Sequence, residues 1–259
     1  MAYDFGMVLS GGGSRGLAHV GVLKALSEEG IEPQILSATS SGAIVAALYA
    51  SGYAADEMLE FFVTKNPFKI SKLAVAKPGI FDSDKVRADF LEYLPRNSFE
   101  ALSKKVLLAA TDLVDGRTRI FSSGPLIPAI LASASTPLVF TPTEIEGHLY
   151  SDGGITDNFP VEPLVDEACK LILGVYVTPL RTIDAKDLTS SLAVSQRAFE
   201  IGMYDHSKDK FAHCDLLICP AELRDFGTFD TRHFEDILEI GYRAAREQME
   251  VLRELMTTK

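Results

Sequence analysis

The sequence predicts an α/β fold in which a largely parallel sheet is covered by helices on both faces. Three observations predict it. Short, continuously apolar runs of strand length recur along the chain, stretches with helical apolar periodicity fill the intervals between them, and two informative loops each join a strand-like run to a helix-like one. Strands covered on both sides lose the alternation of polar and apolar residues, which is why unbroken apolar runs point to a parallel sheet.

In chain order, FGMVL at residues 5–9 reads as the first strand. Glycines follow, then a helix with Leu17, Val20, Leu23, Ala25 and Leu26 on one broad face, ended by Gly30. Residues 34–38 read as a second buried strand and 42–49 as a second buried helix. Further strands are expected over 106–111, 118–122, 171–177 and 216–219, with Asp115-Gly116 turning a hairpin between the first two of these. Helices are expected over 83–94, 126–134 and 188–211, and one long amphipathic helix over 234–256. In that last helix Ile237, Ile240, Ala244, Leu252 and Leu255 lie partly on one face, suited to core packing. With no Pro/Gly/Ser-rich linker and no internal repeat, residues 1–259 read as a single domain.

Composition excludes several classes. A chain of 259 residues with 47% hydrophobic and 24% charged residues can bury one sizeable core. Its 25 Lys+Arg against 36 Asp+Glu leave a net charge of -11, which repels phosphate backbones, and no basic stripe interleaved with aromatics overrides it. Nucleic acid is therefore not expected as a partner. The opening MAYDFGMVLSGGG has no basic region before its apolar run, and no apolar run approaches the ~18 residues of a spanning helix. The expected location is the cytoplasm. Cys169, Cys214 and Cys219 form no C-x-x-C pair and are expected as buried free thiols, and His19, His148, His206, His213 and His233 are too scattered to suggest a metal.

In an open α/β sheet, chemistry belongs to loops at the carboxyl ends of strands. The first such loop is SGGGSRG, residues 10–16. Gly11, Gly13 and Gly16 satisfy G-x-G-x-x-G, but the second strand ends in Ala38, Thr39 and Ser40 without the acid that would hold a ribose. Arg15-Gly16 also stands where a P-loop requires Gly-Lys-Ser/Thr. What remains is a run of backbone N–H groups at a helix N-terminus, suited to a developing negative charge, and no cofactor is expected.

The second loop is SATSSGA, residues 37–43, one residue away from the elbow pattern G-x-S-x-G. Ser40 would sit at the turn. An elbow holds its nucleophile in a backbone conformation that costs roughly 1–3 kcal/mol and packs strand against helix so closely that neighbouring side chains must be tiny. Gly42 meets that demand; Ala38 adds one methyl on the strand side, where a positive φ is not required. A serine needs a base, and none of the five histidines has a persuasive context. Asp152 in HLYSDGGITDNFP is the stronger candidate, because strand-like residues lead into a double glycine and the loop beyond it is constrained by Asn158 and Pro160.

Taken in order, GGGSRG, ATSSG and SDGG resemble the bacterial patatin-like phospholipase family. SRGLAHVGVLKALSEEGI is similar to that family's first helix, SASTPLVFTP to its middle block, DGGITDNFPVEPL to its aspartate block, and LLICPAELRDFGTFD with the helix after it to its C-terminal pattern. The departure is Ala38, where the family usually has glycine. The resemblance implies a three-layer α/β/α fold and a Ser-Asp dyad acyl hydrolase of lipid esters, without histidine, metal or cofactor. Carried over, Ser40 is the nucleophile, Asp152 the general base, and the N–H groups of Gly11, Gly12 and Gly13 the oxyanion hole. Arg15 would brace the loop, and Gly16, Ser41, Gly42, Gly153 and Gly154 complete the motifs.

The segment of residues 61–81 carries Lys65, Lys69, Lys72 and Lys77 and no acid, against the acidic trend of the chain, and is expected as a flap that meets an anionic lipid surface. Two other classes stay open. A catalytically silent scaffold that regulates a partner predicts no turnover on any ester. A cofactor-binding protein predicts that a nucleotide raises the melting temperature.

Overall fold

The computed structural model describes residues 3–65 and 83–259. Most of the lysine-rich segment, including Lys69, Lys72 and Lys77, lies outside the described residues. The strands are β1 (Phe5–Leu9), β2 (Ile35–Thr39), β3 (Lys105–Asp112), β4 (Arg117–Phe121), β5 (Thr143–Ile145), β6 (His148–Asp152), β7 (Leu171–Val175) and β8 (Leu216–Ile218). The helices are α1 (Leu17–Glu28), α2 (Ser41–Ala50), α3 (Ala55–Thr64), α4 (Ser83–Tyr93), α5 (Leu126–Ala134), α6 (Glu162–Asp166), α7 (Ser191–Lys208), α8 (Phe234–Glu247) and α9 (Met249–Thr258).

The sheet runs β5-β6-β3-β2-β1-β7-β8, with β4 paired to β3. Pairs among β3, β2, β1, β7 and β8 are parallel, while β4, β5 and β6 join in antiparallel sense. Period-two alternation divides the apolar strand residues between two cores. Leu9, Leu36, Leu108 and Leu173 face a large cluster that also contains residues of α1 to α5, α8 and α9. Their neighbours Val8, Ile35, Leu107 and Ile172 face a second cluster with Leu164 of α6, where Tyr204 of α7 packs. Helices thus cover both faces, giving the three-layer α/β/α arrangement.

Several expectations change in detail. The helix expected over 234–256 is two helices, because the chain leaves helical geometry at Gln248, with φ -97 and ψ 1. No glycine or proline marks the break; it turns Met249 and Leu252 into the core alongside Ile237 and Ile240. α8 docks on α1 at backbone contact, since a Cβ added at Gly21 would lie 2.0 Å from the Leu238 carbonyl oxygen and one at Gly241 2.0 Å from that of Ala18. The helix expected over 188–211 is α7 followed by a 3-10 turn over Asp209–His213. Elements not anticipated are α3, whose start is capped by the Glu57 carboxylate on the Ala54 N–H at 2.7 Å, and the short β5 and α6. The turn from β5 to β6 is Glu146-Gly147, with φ 52 and 81, a pair of left-handed residues that the sequence disguises by putting glutamate where asparagine is usual. The cysteines are free, but not all buried: Cys169 and Cys214 are half-buried and Cys219 is exposed.

Candidate active site

Strand register brings the two loops together. β2 runs parallel to β3 and ends with Thr39 opposite Ala109, whereas β6 runs antiparallel to β3 and ends with Asp152 opposite Ala110. The residues that follow β2 and terminate β6 therefore converge on neighbouring positions of one strand. Ser40 Oγ donates to Asp152 Oδ2 at 2.7 Å, across 112 residues of sequence.

Ser40 occupies the turn from β2 into α2 with φ 55 and ψ -122, a backbone conformation that L-residues seldom adopt. Three contacts hold it there. Its N–H donates to Ser133 Oγ at 2.9 Å, and Ser133 Oγ in turn donates to the Ala109 carbonyl at 2.6 Å. Gly42 lets α2 approach β1, for a Cβ there would lie 2.5 Å from the Leu9 carbonyl oxygen. Gly16 is likewise packed on Ser41, where an added Cβ would meet Oγ at 2.5 Å. Ala38 is fully buried in regular β2, paired with Leu9 on one side and Leu108 on the other, and does not adopt a positive φ.

Asp152 is buried, with 4% of its surface exposed. Oδ2 accepts from Ser40 Oγ and, at 2.8 Å, from Thr136 Oγ1; Oδ1 accepts from the Gly154 N–H at 2.8 Å. Burial raises its pKa above the usual carboxylate value, opposed by the hydrogen bonds from Gly154, Ser40 and Thr136. The carboxylate is thus made more basic while its geometry is held by donors. Gly153 seats this turn on β3, since a Cβ there would lie 2.4 Å from the Ala109 carbonyl oxygen.

The glycine loop faces the pair, and its three amides differ. The Gly11 N–H donates to the Asn158 carbonyl at 3.2 Å, a bond that holds the loop. Gly12 and Gly13 donate to no acceptor among the described residues, and both line the cleft at Ser40 and Asp152. Gly13 has φ +59, and a Cβ there would lie 2.1 Å from the Thr228 carbonyl oxygen. Arg15 is buried and braces the loop from behind: Nε donates to the Gly12 carbonyl at 3.3 Å and Nη2 to Thr228 Oγ1 at 2.9 Å. Desolvation lowers its pKa, opposed by nearby Glu200.

The histidines stand apart from the pair. His19 is fully buried beneath the loop, with Nε2 at 2.8 Å from the Ser10 carbonyl, and burial lowers its pKa to about 4. His148 Nδ1 meets Asp112 Oδ2 at 2.8 Å and His233 Nδ1 meets Asp230 Oδ2 at 2.8 Å. Among the described residues one trio, Asp112, Asp115 and His148, has ligand-type atoms within 4.8 Å of one another. Its oxygens are engaged, with Asp112 Oδ1 accepting from the N–H groups of Val114 and Asp115 and Asp115 paired to Arg117. Sequence reasoning missed Ser133 and Thr136; the only signal was their place in the SASTPLVFTP block.

Two clefts open from Ser40. One is apolar, walled by Ile44, Phe61, Phe62, Phe90, Leu131 and Phe234. The other contains Asp152 and is bounded by residues 136–139, by the α7 side chains Gln196, Phe199 and Met203, and by Thr178 and Arg15.

A three-layer α/β/α protein with a strained serine elbow, an acid against its hydroxyl and a glycine loop beside both defines a class of its own. The chain belongs to the patatin-like phospholipase family, whose model matches residues 7–165. It is 32% identical over 184 residues to an uncharacterized NTE family protein of Mycobacterium tuberculosis, a match covering 70% of this chain and 51% of the relative. Lysophospholipase NTE1 of Kluyveromyces lactis is 23% identical over a match that covers 96% of this chain and 19% of the relative. The structure is similar, with a TM-score of 0.56 and 12% identity, to human GIVD cytosolic phospholipase A2 in complex with methyl gamma-linolenyl fluorophosphonate, covering 99% of this chain and 59% of that one. The chain spans about half the length of the mycobacterial relatives it matches. Among the described residues no helix is long and apolar enough to cross a membrane.

Proposed function

We propose that this chain is a single acyl hydrolase domain that cleaves carboxylic esters of lipids through Ser40 and Asp152. The observation that carries the reading is the 2.7 Å hydrogen bond from Ser40 Oγ to a buried, basic Asp152 Oδ2, at a strained elbow. Ser40 Oγ attacks the ester carbonyl while its proton passes to Asp152. The oxyanion that forms is held by the N–H groups of Gly12 and Gly13, whose unspent donors point to that role. Asp152 then protonates the departing alcohol, leaving an acyl group on Ser40. Water enters, gives its proton to Asp152, and attacks the acyl carbon; return of the proton to Oγ frees the acid and restores the serine. The apolar cleft accommodates the hydrocarbon of the acyl group. The family and its lysophospholipase relative support a lipid ester as substrate.

Labelling with a lipid-like fluorophosphonate, read by intact mass and peptide mapping, tests the proposal. A single adduct on Ser40, absent from Ser40→Ala, and ester turnover lost in Asp152→Asn are expected. A folded chain that takes no adduct and turns over no ester would favour the silent scaffold instead.

A further inference from the structure

Beside the glycine loop lies a polar chamber whose wall holds Arg15, Arg181, Arg197 and Arg224 against the two carboxylates Glu200 and Asp225. In a chain of net charge -11, this concentration of guanidinium groups runs against the composition. Arg197 is engaged, with Nη2 on the Arg181 carbonyl at 2.6 Å and Nη1 at 3.5 Å from Glu200. Arg224 donates Nε to the Ala221 carbonyl at 2.9 Å, and among the described residues Arg15 donates to the neutral Gly12 carbonyl and Thr228 hydroxyl alone. Among the described residues no carboxylate lies within 4.0 Å of the guanidinium nitrogens of Arg15, Arg181 or Arg224. Arginines without an anionic contact that line one cavity offer guanidinium groups, which match the oxygens of a phosphate in geometry and charge.

The chamber adjoins the second cleft at Ser40, because Arg15, Thr178, Gln196, Glu200 and Thr228 line both. The apolar cleft opens from Ser40 as well. An ester whose carbonyl lies at Ser40 and whose hydrocarbon fills the apolar cleft sends its leaving group into the second cleft, toward the arginines. We propose that this arginine-lined chamber is an anion site that takes a phosphate carried by the leaving group, with Arg181 and Arg224 as the residues that grip it. The phosphate can belong to a lipid head group or to the thiol carrier of an acyl thioester. Its place in the reaction rests on the ester-hydrolase reading; its existence as a binding site does not.

Calorimetric titration of the full chain with glycerol 3-phosphate, with coenzyme A and with uncharged glycerol tests the site, repeated on Arg181→Gln/Arg224→Gln. Both arginines are exposed and make no ion pair among the described residues, so the variant is expected to fold, which circular dichroism checks. At least one phosphate compound is expected to bind about tenfold or more tighter than glycerol, and to lose about tenfold in the variant. The tighter of the two identifies the source of the phosphate. Binding no tighter than glycerol, or equal binding by the variant, would overturn the proposal. A neutral aryl ester assayed in parallel separates the two readings. Arginine-dependent phosphate binding without ester hydrolysis would sink the hydrolase reading and leave the site standing; hydrolysis without phosphate binding would do the reverse.

Discussion

Ser40 and Asp152 meet because the ends of β2 and β6 converge from opposite directions on Ala109 and Ala110 of β3. The meeting is a property of strand register, and a slip of one residue in either pairing would turn a side chain to the other face of the sheet. The same strand supplies the carbonyl that orients Ser133, which in turn holds the Ser40 amide. Serine and acid are thus referred to a common frame.

Asp152→Asn is expected to abolish ester turnover while making the fold more stable at neutral pH. The pKa of Asp152 is raised on folding, so its ionisation opposes folding once the pH exceeds the unfolded value near 4. Asparagine keeps an acceptor for the Gly154 N–H and turns its amide donors toward the Ser40 and Thr136 hydroxyls. Melting curves should place the variant above the wild type at pH 8, by ~2–4 °C for each kcal/mol recovered, and the gap should close toward pH 4. A variant less stable than the wild type at pH 8 would refute the desolvation cost ascribed to this carboxylate.

Thr136→Val removes a donor to the charged form of Asp152. Losing it raises the acid's pKa further, so the acid limb of the kcat/KM profile should move to higher pH. Thr136→Ser keeps the donor and should restore the limb. An unmoved limb in the valine variant would show that the threonine serves packing alone.

Ala38→Gly completes the G-x-S-x-G elbow pattern and is expected to bring no gain. Ala38 sits in regular strand without a positive φ, so glycine relieves nothing there and costs about 0.5–1 kcal/mol in conformational entropy. Turnover should stay within about twofold and the melting temperature should fall by ~1–4 °C. A tenfold rise in turnover would mean that the alanine methyl restrains the elbow.

His19→Asn should flatten the acid side of the stability curve. The folded pKa of about 4 lies below the unfolded value of 6.5, so the wild type loses stability as pH falls from 6.5 to about 4, while only the unfolded chain takes up the proton. The loss amounts to about 3 kcal/mol over that window. Denaturant titrations at pH 7 and pH 4.5 should show a smaller drop for the asparagine variant, which retains a donor for the Ser10 carbonyl.

Much of the architecture was legible in the chain because its causes are local. The apolar run FGMVL, the periodicity of α1 and the positive φ of Gly30 are written within a few residues, as is the strain at Ser40, which the sequence marks by small neighbours on either side. The break at Gln248 was not legible, since nothing in REQMEV disfavours helix and only the core decides that Met249 and Leu252 turn inward.

By itself the sequence determined the α/β alternation and most of its elements, and it marked the elbow, the glycine loop and the Asp152 turn as the places to look for chemistry. The tertiary structure decided which groups are spent and which are free. The Gly11 amide donates to the Asn158 carbonyl, Thr136 reaches Asp152, and Arg15, Arg181 and Arg224 share a chamber without a carboxylate in contact among the described residues. Backbone preference acts over a few residues, but a hydrogen bond needs its partner in place, and here the partners of Ser40 lie 93 and 112 residues along the chain.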